Sequence, residues 1–129
     1  CQSAKEQEIK EYLHRGIKLS ESHMETVSSY LRADNLPIPS SLDAEVTDAI
    51  EPIFTDKLII FLIAGLDTLG LGVTGISLSR VMRRDLALTF TRIMSEIALY
   101  AEDGLNMLID SSWLERMPEA ADRKELLHM

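Results

Sequence analysis

The sequence predicts an all-α protein, a water-soluble bundle of long helices in one domain, and three observations support this prediction. The first is an apolar segment of twenty-one residues, Leu58 to Leu78, which has four glycines and a single charged residue, Asp67. The second is that amphipathic patterns with a helical period flank this segment on both sides. The third is size, because 129 residues of which 46% are hydrophobic can bury one core. An apolar helix between two charged ones needs protein around most of its circumference, as in a bundle.

The first predicted helix spans about residues 4–33. Its apolar positions recur every three or four residues, whereas charged residues occupy the other faces. Asp34 and Asn35 with Pro37 behind them end the helix, since the residue before a proline is disfavoured in helical geometry. The predicted inward set is Ile9, Tyr12, Leu13, Gly16, Leu19, His23, Val27 and Tyr30.

The next segment, residues 35–55, is predicted to be a long crossover loop rich in proline, serine and aspartate. It is far longer than a tight helix hairpin requires. A connection of this length can reach roughly 60 Å, which exceeds the ~45 Å length of a thirty-residue helix. We therefore expect the crossover to return the chain along the bundle and to set the second helix parallel to the first.

The second predicted helix spans about residues 56–78, with Thr55 as its N-cap. Glycine costs roughly 1 kcal/mol relative to alanine in an exposed helix, so the glycines of this segment are predicted to allow close helix packing. Replacing Gly70 by leucine is accordingly expected to disrupt the bundle. The four glycines are Gly65, Gly70, Gly72 and Gly75.

The third predicted helix spans about residues 81–110, and a tail, residues 111–129, follows it. Trp113 and Leu114 are expected to fold back onto the bundle, and a weak terminal helix is predicted from Ala121 to His128. The predicted inward set of the third helix is Leu86, Phe90, Ile93, Ile97, Tyr100, Ala101, Leu105 and Leu108.

Three helices leave the apolar second helix incompletely covered. We expect its remaining side to be covered either by a fourth helix upstream of Cys1 or by a helix from another subunit. A chain that begins with Cys1 has two interpretations, a fragment that lacks its upstream residues or the lipid-bearing first residue of a mature lipoprotein.

The charge and the motifs exclude several classes of function. A net charge of −8 argues against a nucleic-acid partner, because phosphate binding needs an excess of positive charge. No nucleophile motif and no glycine-rich phosphate loop is present, so no catalytic or cofactor-binding residues are predicted. Glu11 and His14 form a Glu-x-x-His sequence, but they lie beside the charged face and are interpreted as an exposed pair.

Three separated stretches resemble a known family: YLRADNLPIPSSLD (30–43), RRDLALTFTRIMSEIALYAEDGLNMLID (83–110) and WLERMPEAADRKEL (113–126). The sequence is similar to an uncharacterised family of endospore-forming bacteria whose members are labelled as spore coat proteins, similar to the coat F domain. The resemblance implies a ferritin-like four-helix bundle and a context in sporulation, without an established reaction. In that family another helix precedes the segment that begins near Cys1, so the resemblance also implies that the first helix of the bundle is missing here.

A ferritin-like bundle binds two metal ions at mid-height, with carboxylates from two helices and a Glu-x-x-His pair from each of the other two. A two-metal site needs Glu in place of Ser20 and His in place of Leu99, so none is predicted. His23, Asp67 and Glu96 remain as weak candidates for a single ion. Alternatively, His23 and Asp67 hydrogen-bond to each other or to water inside a bundle that has lost its metals.

These observations leave three hypotheses about function. The first is a sporulation-associated structural or assembly protein that self-associates as a homo-oligomer, with other coat proteins as further partners and no cofactor. The second is a ferritin-like metal-binding or oxidative protein that uses His23, Asp67 and Glu96. The third is a lipoprotein or peripheral membrane module, based on Cys1 and the apolar segment. We expect a cytoplasmic or spore-associated location in an endospore-forming bacterium, and no membrane span.

Overall fold

A computed structural model of the protein describes residues 6–41, 43–46, 51 and 53–115. These residues form three long helices and no strand, with a short 3-10 turn, Asp43–Glu45, in the crossover. The predicted all-α class is therefore confirmed, whereas the predicted terminal helix from Ala121 to His128 lies outside the described residues. The helices are α1 (Gln7–Ala33), α2 (Asp56–Arg80) and α3 (Arg84–Asp110).

A residue with a left-handed backbone conformation, Asn35, follows the end of α1, as the turn-forming sequence after Ala33 suggests. Asn35 has a φ of 54°, its N–H donates to the carbonyl of Arg32 at 3.1 Å, and the N–H of Leu36 donates to the carbonyl of Leu31 at 2.8 Å. This pair of bonds is a Schellman motif, and asparagine tolerates the left-handed conformation better than most side chains do. The motif stops the helix just before Pro37.

The ends of α2 and α3 also follow from local sequence. The hydroxyl of Thr55 accepts a hydrogen bond from the N–H of Leu58 at 3.3 Å, so the predicted N-cap of α2 is confirmed. A second Schellman motif ends α3, with Ser112 at a φ of 56° and the N–H of Trp113 donating to the carbonyl of Leu108 at 2.8 Å. This turn returns Trp113 onto the core, as predicted, while Leu114 stays 40% exposed.

Contacts between the helices define their directions. Helices α2 and α3 form a hairpin through a three-residue link, 81–83. His23 of α1 contacts Glu96 of α3, and Tyr30 of α1 contacts Thr89 of α3. Residue numbers therefore fall along α3 where they rise along α1, so the two helices are antiparallel. Helices α1 and α2 consequently run parallel, which is the arrangement expected from a long crossover.

The beginnings of the two parallel helices lie at the same end of the bundle. The N–H of Glu6, just before α1, donates to Oδ2 of Asp56, the first residue of α2, at 3.0 Å. The crossover therefore spans the length of α1, as the reach of its residues allows.

Two tyrosines and two glycines join α1 to α3, and we call this contact the tyrosine–glycine crossing (Tyr12, Gly16, Tyr100 and Gly104). The two rings stack with their centroids 4.3 Å apart and their planes 3° apart. Each hydroxyl donates to the backbone carbonyl of the other tyrosine at 3.2 Å. A Cβ added at Gly16 would clash with the hydroxyl of Tyr100, and one added at Gly104 would clash with the hydroxyl of Tyr12.

The core surrounds this crossing near one end of the bundle. All eight residues of the predicted inward set of α1 are buried or partly buried, as are seven of the eight predicted for α3. The exception is Leu105, which is 43% exposed. The buried cluster consists of Ile9, Tyr12, Leu13, Ile60, Tyr100 and Leu108.

The described residues do not enclose the apolar helix α2. Ile60 is the buried residue of α2, and the remainder of the helix is partly or fully exposed. By length and composition α2 is also the one described helix that could cross a membrane. The prediction that three helices would leave α2 incompletely covered is therefore confirmed, but the described residues do not show what covers it.

The glycines of α2 do not mark close packing within the chain, contrary to the expectation. A Cβ added at Gly65 or Gly72 would have no neighbour within 4 Å. At Gly70 it would lie 3.9 Å from Cδ1 of Ile97, and at Gly75 3.7 Å from Cε of Met94, both ordinary contact distances. Within the described residues the close approach lies instead between α1 and α3, and the glycines that permit it are Gly16 and Gly104.

Alanine at Gly16 is expected to destabilise the protein, whereas alanine at Gly72 is expected to stabilise it. The first substitution forces the Tyr100 ring from its position and lowers the free energy of unfolding by about 1–2 kcal/mol. The second substitution introduces a residue with higher helix propensity where a Cβ meets no neighbour, and it raises the free energy of unfolding by up to about 1 kcal/mol. Denaturant unfolding of both variants measures the difference, and equal effects of the same sign would contradict the crossing.

Candidate functional site

A cleft of about 820 Å³ lies between α1 and α2, and part of its lining comes from α3 and from Ile38, Pro39 and Ser41 of the crossover. Apolar side chains such as Leu13, Ile63 and Ile97 form much of its wall. His23 and Asp67 also line it. The structure therefore brings two of the three predicted metal candidates to one cleft, because parallel α1 and α2 place their middle turns at the same height.

The third candidate, Glu96, is the hydrogen-bond partner of His23. Nε2 of His23 lies 2.6 Å from Oε2 of Glu96, and the histidine side chain is 14% exposed. Glu96 also lies 3.8 Å from Nε of Arg92, one turn earlier on α3. The interpretation that His23 hydrogen-bonds to Asp67 is thus wrong, because the carboxylate within its reach belongs to α3.

Asp67 is the unusual group of the cleft. Its Oδ2 is shielded from solvent and has no hydrogen-bond partner among the described residues. Burial raises the pKa of this carboxyl above its ordinary value of 3.8, because the charged form loses solvation. A shielded carboxylate oxygen without a partner favours either protonation of the group or a donor that the described residues do not supply.

His23, Asp67 and Glu96 do not form a ready metal site. Within the described ranges, no group of three or more His, Cys, Asp or Glu side chains is placed to hold a metal ion. Glu11 and His14 are both exposed, and Glu11 accepts a hydrogen bond from Nε2 of Gln7 at 3.0 Å. The Glu-x-x-His sequence therefore lies on the outer surface of α1.

The tyrosine–glycine crossing lies beside the cleft and was not predicted as a unit. Burial raises the pKa of both Tyr12 and Tyr100, and the charge of Asp67 adds a smaller effect in the same direction. The guanidinium of Arg15 lies 5.6 Å and 5.5 Å from the two ring centroids and pairs with Asp103. The available signal was a Tyr-x-x-x-Gly sequence in both helices, at 12–16 and 100–104.

Comparison with solved structures gives the fold. The chain is similar to a protein described as a putative spore coat protein from Bacillus halodurans C-125, with a TM-score of 0.78 and 16% sequence identity. The match covers 93% of this chain and 79% of that one. At this identity the likeness concerns the helical architecture.

Comparison with protein families gives a match over nearly the whole sequence. Residues 1–126 match the model of a family described as "Protein of unknown function (DUF3231)". None of the curated proteins matches the sequence.

Asp67→Asn is expected to stabilise the protein at neutral pH and to have little effect in acid. Because the folded-state pKa of Asp67 is raised, the stability that this group contributes is present below pH 3.8 and is lost as the pH rises through the higher folded value. Asparagine removes that loss because it carries no charge at any pH in this range. Urea unfolding of parent and variant from pH 3 to pH 8 measures the difference in their free energies of unfolding. A difference that does not change with pH would contradict this account.

Proposed function

We propose that this chain, which belongs to the DUF3231 family, is a structural or assembly protein associated with the bacterial spore that acts by self-association. The likeness of its fold to that of a protein described as a putative spore coat protein supports the proposed context. Other coat proteins are the further partners in this proposal, and the role needs neither a cofactor nor a catalytic residue.

The proposal includes a ferritin-like four-helix architecture. Parallel α1 and α2 joined by a long crossover, with α3 antiparallel to both, are three of the four helices that such a bundle has. The fourth position lies opposite α3, between α1 and α2. The cleft between these two helices supports that assignment.

The proposal of self-association is based on an exposed row of apolar side chains on α2, and we call this row the outer stripe. Large apolar side chains this exposed, between 40% and 63%, rarely form a continuous row on a monomer unless the row binds another molecule. The members repeat at intervals of three, four and seven residues, the spacing of a helix seam. They are Leu58, Leu62, Leu69, Val73 and Ile76.

Gly65 and Gly72 lie along the same row, where side chains as small as glycine or alanine leave room for a second helix. Neither would have a neighbour within 4 Å if it carried a Cβ, so the backbone of another helix has room there. Two α2 helices packed antiparallel bring the acidic start of one copy, Asp56, towards the basic end of the other, Arg80. Opposite charges and opposed helix dipoles both favour that pairing.

Helix α2 also has the length and composition of a membrane span, and we propose that it contacts protein instead. Asp67 lies at its middle, where a carboxyl group in hydrocarbon is costly. One side of α2 packs along α3, and its Gly70 and Gly75 approach Ile97 and Met94. The remaining apolar surface comprises the outer stripe with Phe61 and Leu66 on either side of it, and we propose that another helix covers it.

Leu69→Asp is expected to turn an oligomer into a 14.5 kDa monomer, because a carboxylate in the outer stripe opposes its burial. Leu99→Asp on α3 is the matched control, since Leu99 is 64% exposed and Leu69 is 63% exposed. Light scattering after size-exclusion chromatography in detergent-free buffer measures the mass.

A monomeric parent protein, or equal loss of mass in both variants, would contradict self-association through α2. The same preparations are analysed for iron, manganese and zinc. Stoichiometric metal that is lost on His23→Ala would favour the metal-binding alternative over a structural role.

A further inference from the structure

Six exposed positions of α2 follow one another at intervals of four, three, four, three and four residues, which is the spacing of the core positions of a coiled coil. The four large side chains among them are between 40% and 63% exposed, and the two glycines are exposed as well. We call this set the heptad seam. Its members are Leu58, Leu62, Gly65, Leu69, Gly72 and Ile76.

The covered side of α2 lies opposite the heptad seam. Ile60, Asp67 and Thr74 are seven residues apart, at the heptad position that points away from the core positions. Ile60 is fully buried, Oδ2 of Asp67 is shielded, and Thr74 is partly buried. No member of the heptad seam is among the described residues that line the cleft between α1 and α2. A fourth helix in that cleft therefore leaves the heptad seam open to a second copy of the chain.

The heptad seam contains large and small residues in an order that complements itself. A Cβ at Gly65 or Gly72 would meet nothing within 4 Å, so each glycine leaves a hollow in the surface of α2. When two copies of α2 lie antiparallel and centred on residue 67, every leucine next to the centre faces a glycine of the other copy, as a knob faces a hole. The facing pairs are Gly65 with Leu69, Gly72 with Leu62, and Leu58 with Ile76.

A parallel pair would pack the same residues less well. With two parallel copies in register, each glycine faces a glycine and each leucine faces a leucine, so empty layers alternate with wide ones. The antiparallel order also opposes the two helix dipoles, and it brings Asp56 of one copy within about one helical turn of Arg80 of the other. Shape and charge therefore favour the same orientation.

We infer that two copies of this chain pair through α2 in this antiparallel register, with the two-fold axis at the height of Asp67 and leucines of each copy packed on glycines of the other. The inference rests on the self-association proposed above, and it specifies which residues meet. Under two-fold symmetry each contact occurs twice, so one substitution in the heptad seam changes two layers of the interface.

Disulfide trapping tests the register. Leu62→Cys and Gly72→Cys chains, both with Cys1→Ser, are mixed and oxidised, because a disulfide forms only between residues whose Cα atoms lie within about 7 Å. The mixture is expected to give a species of twice the 14.5 kDa chain mass on non-reducing electrophoresis, joined between positions 62 and 72. Neither variant alone should form it, since ten residues of helix separate these positions by ~15 Å. Leu99→Cys mixed with Gly72→Cys is the control and should give no dimer, since Leu99 is exposed on α3.

A compensating pair of substitutions tests the packing. Gly72→Leu places two leucines in one layer and is expected to raise the dimer Kd about tenfold, as measured by light scattering over a dilution series. Adding Leu62→Ala is expected to recover most of that loss, because positions 62 and 72 meet only across the dimer. Adding Leu69→Ala instead is the matched control and should recover none of it, since Leu69 belongs to a different layer.

Trapping of each cysteine variant with itself would show a parallel pair, and failure of Leu62→Ala to compensate Gly72→Leu would show another register. Either result overturns this inference, yet self-association through α2 stands if Leu69→Asp still gives a monomer. A monomeric parent protein overturns both.

Discussion

The tyrosine–glycine crossing is the constraint on which the arrangement of this protein depends. Helices α2 and α3 are tied by a short link, but α1 reaches them only through a long crossover, so side-chain contacts must set its position. Stacked rings 4.3 Å apart, two reciprocal hydrogen bonds and two glycines without Cβ atoms hold α1 against α3 at one height. Once that height is set, His23 reaches Glu96, and the middle of α1 faces the middle of α2 across the cleft.

Much of the fold follows from local patterns that can be read in the sequence. The inward faces of α1 and α3, the N-cap at Thr55 and the stop after Ala33 depend on residues close in the chain. The direction of α2 follows from the length of the crossover. Each of these features is determined by spacing or by a single residue type, which is why reasoning from periodicity identified them.

The contacts between helices were harder to predict, because periodicity does not give the rotation of one helix against another. Glycines in the apolar segment suggested close packing there, yet Gly65 and Gly72 face open space and Gly16 and Gly104 make the close approach. Similarly, His23 and Asp67 were correctly placed at one height, but the partner of His23 is Glu96. The rotation of each helix decides which of its residues meet a neighbouring helix, and sequence spacing alone does not determine that rotation.

Helix α2 is apolar, yet the described residues leave much of its surface exposed. Its inner side packs on α3, and its outer stripe is exposed. The side facing α1 borders a cleft that Asp67 lines, and Oδ2 of Asp67 has no hydrogen-bond partner among the described residues. The exposed apolar side of α2 is the reason why we propose assembly, since large exposed apolar patches are typical of surfaces that bind another protein. The proposed structural role in the spore follows from that physical requirement together with the family context.

A double-mutant cycle between Gly16→Ala and Tyr100→Leu tests the crossing most directly. In the parent protein the alanine meets the Tyr100 ring, whereas in the leucine background the clashing hydroxyl and ring atoms are gone. We predict that Gly16→Ala lowers the free energy of unfolding in the parent by about 1–2 kcal/mol and is neutral or stabilising in Tyr100→Leu. An equal cost in both backgrounds would show that Gly16 and Tyr100 do not meet, which would contradict the arrangement of α1 on which the account rests.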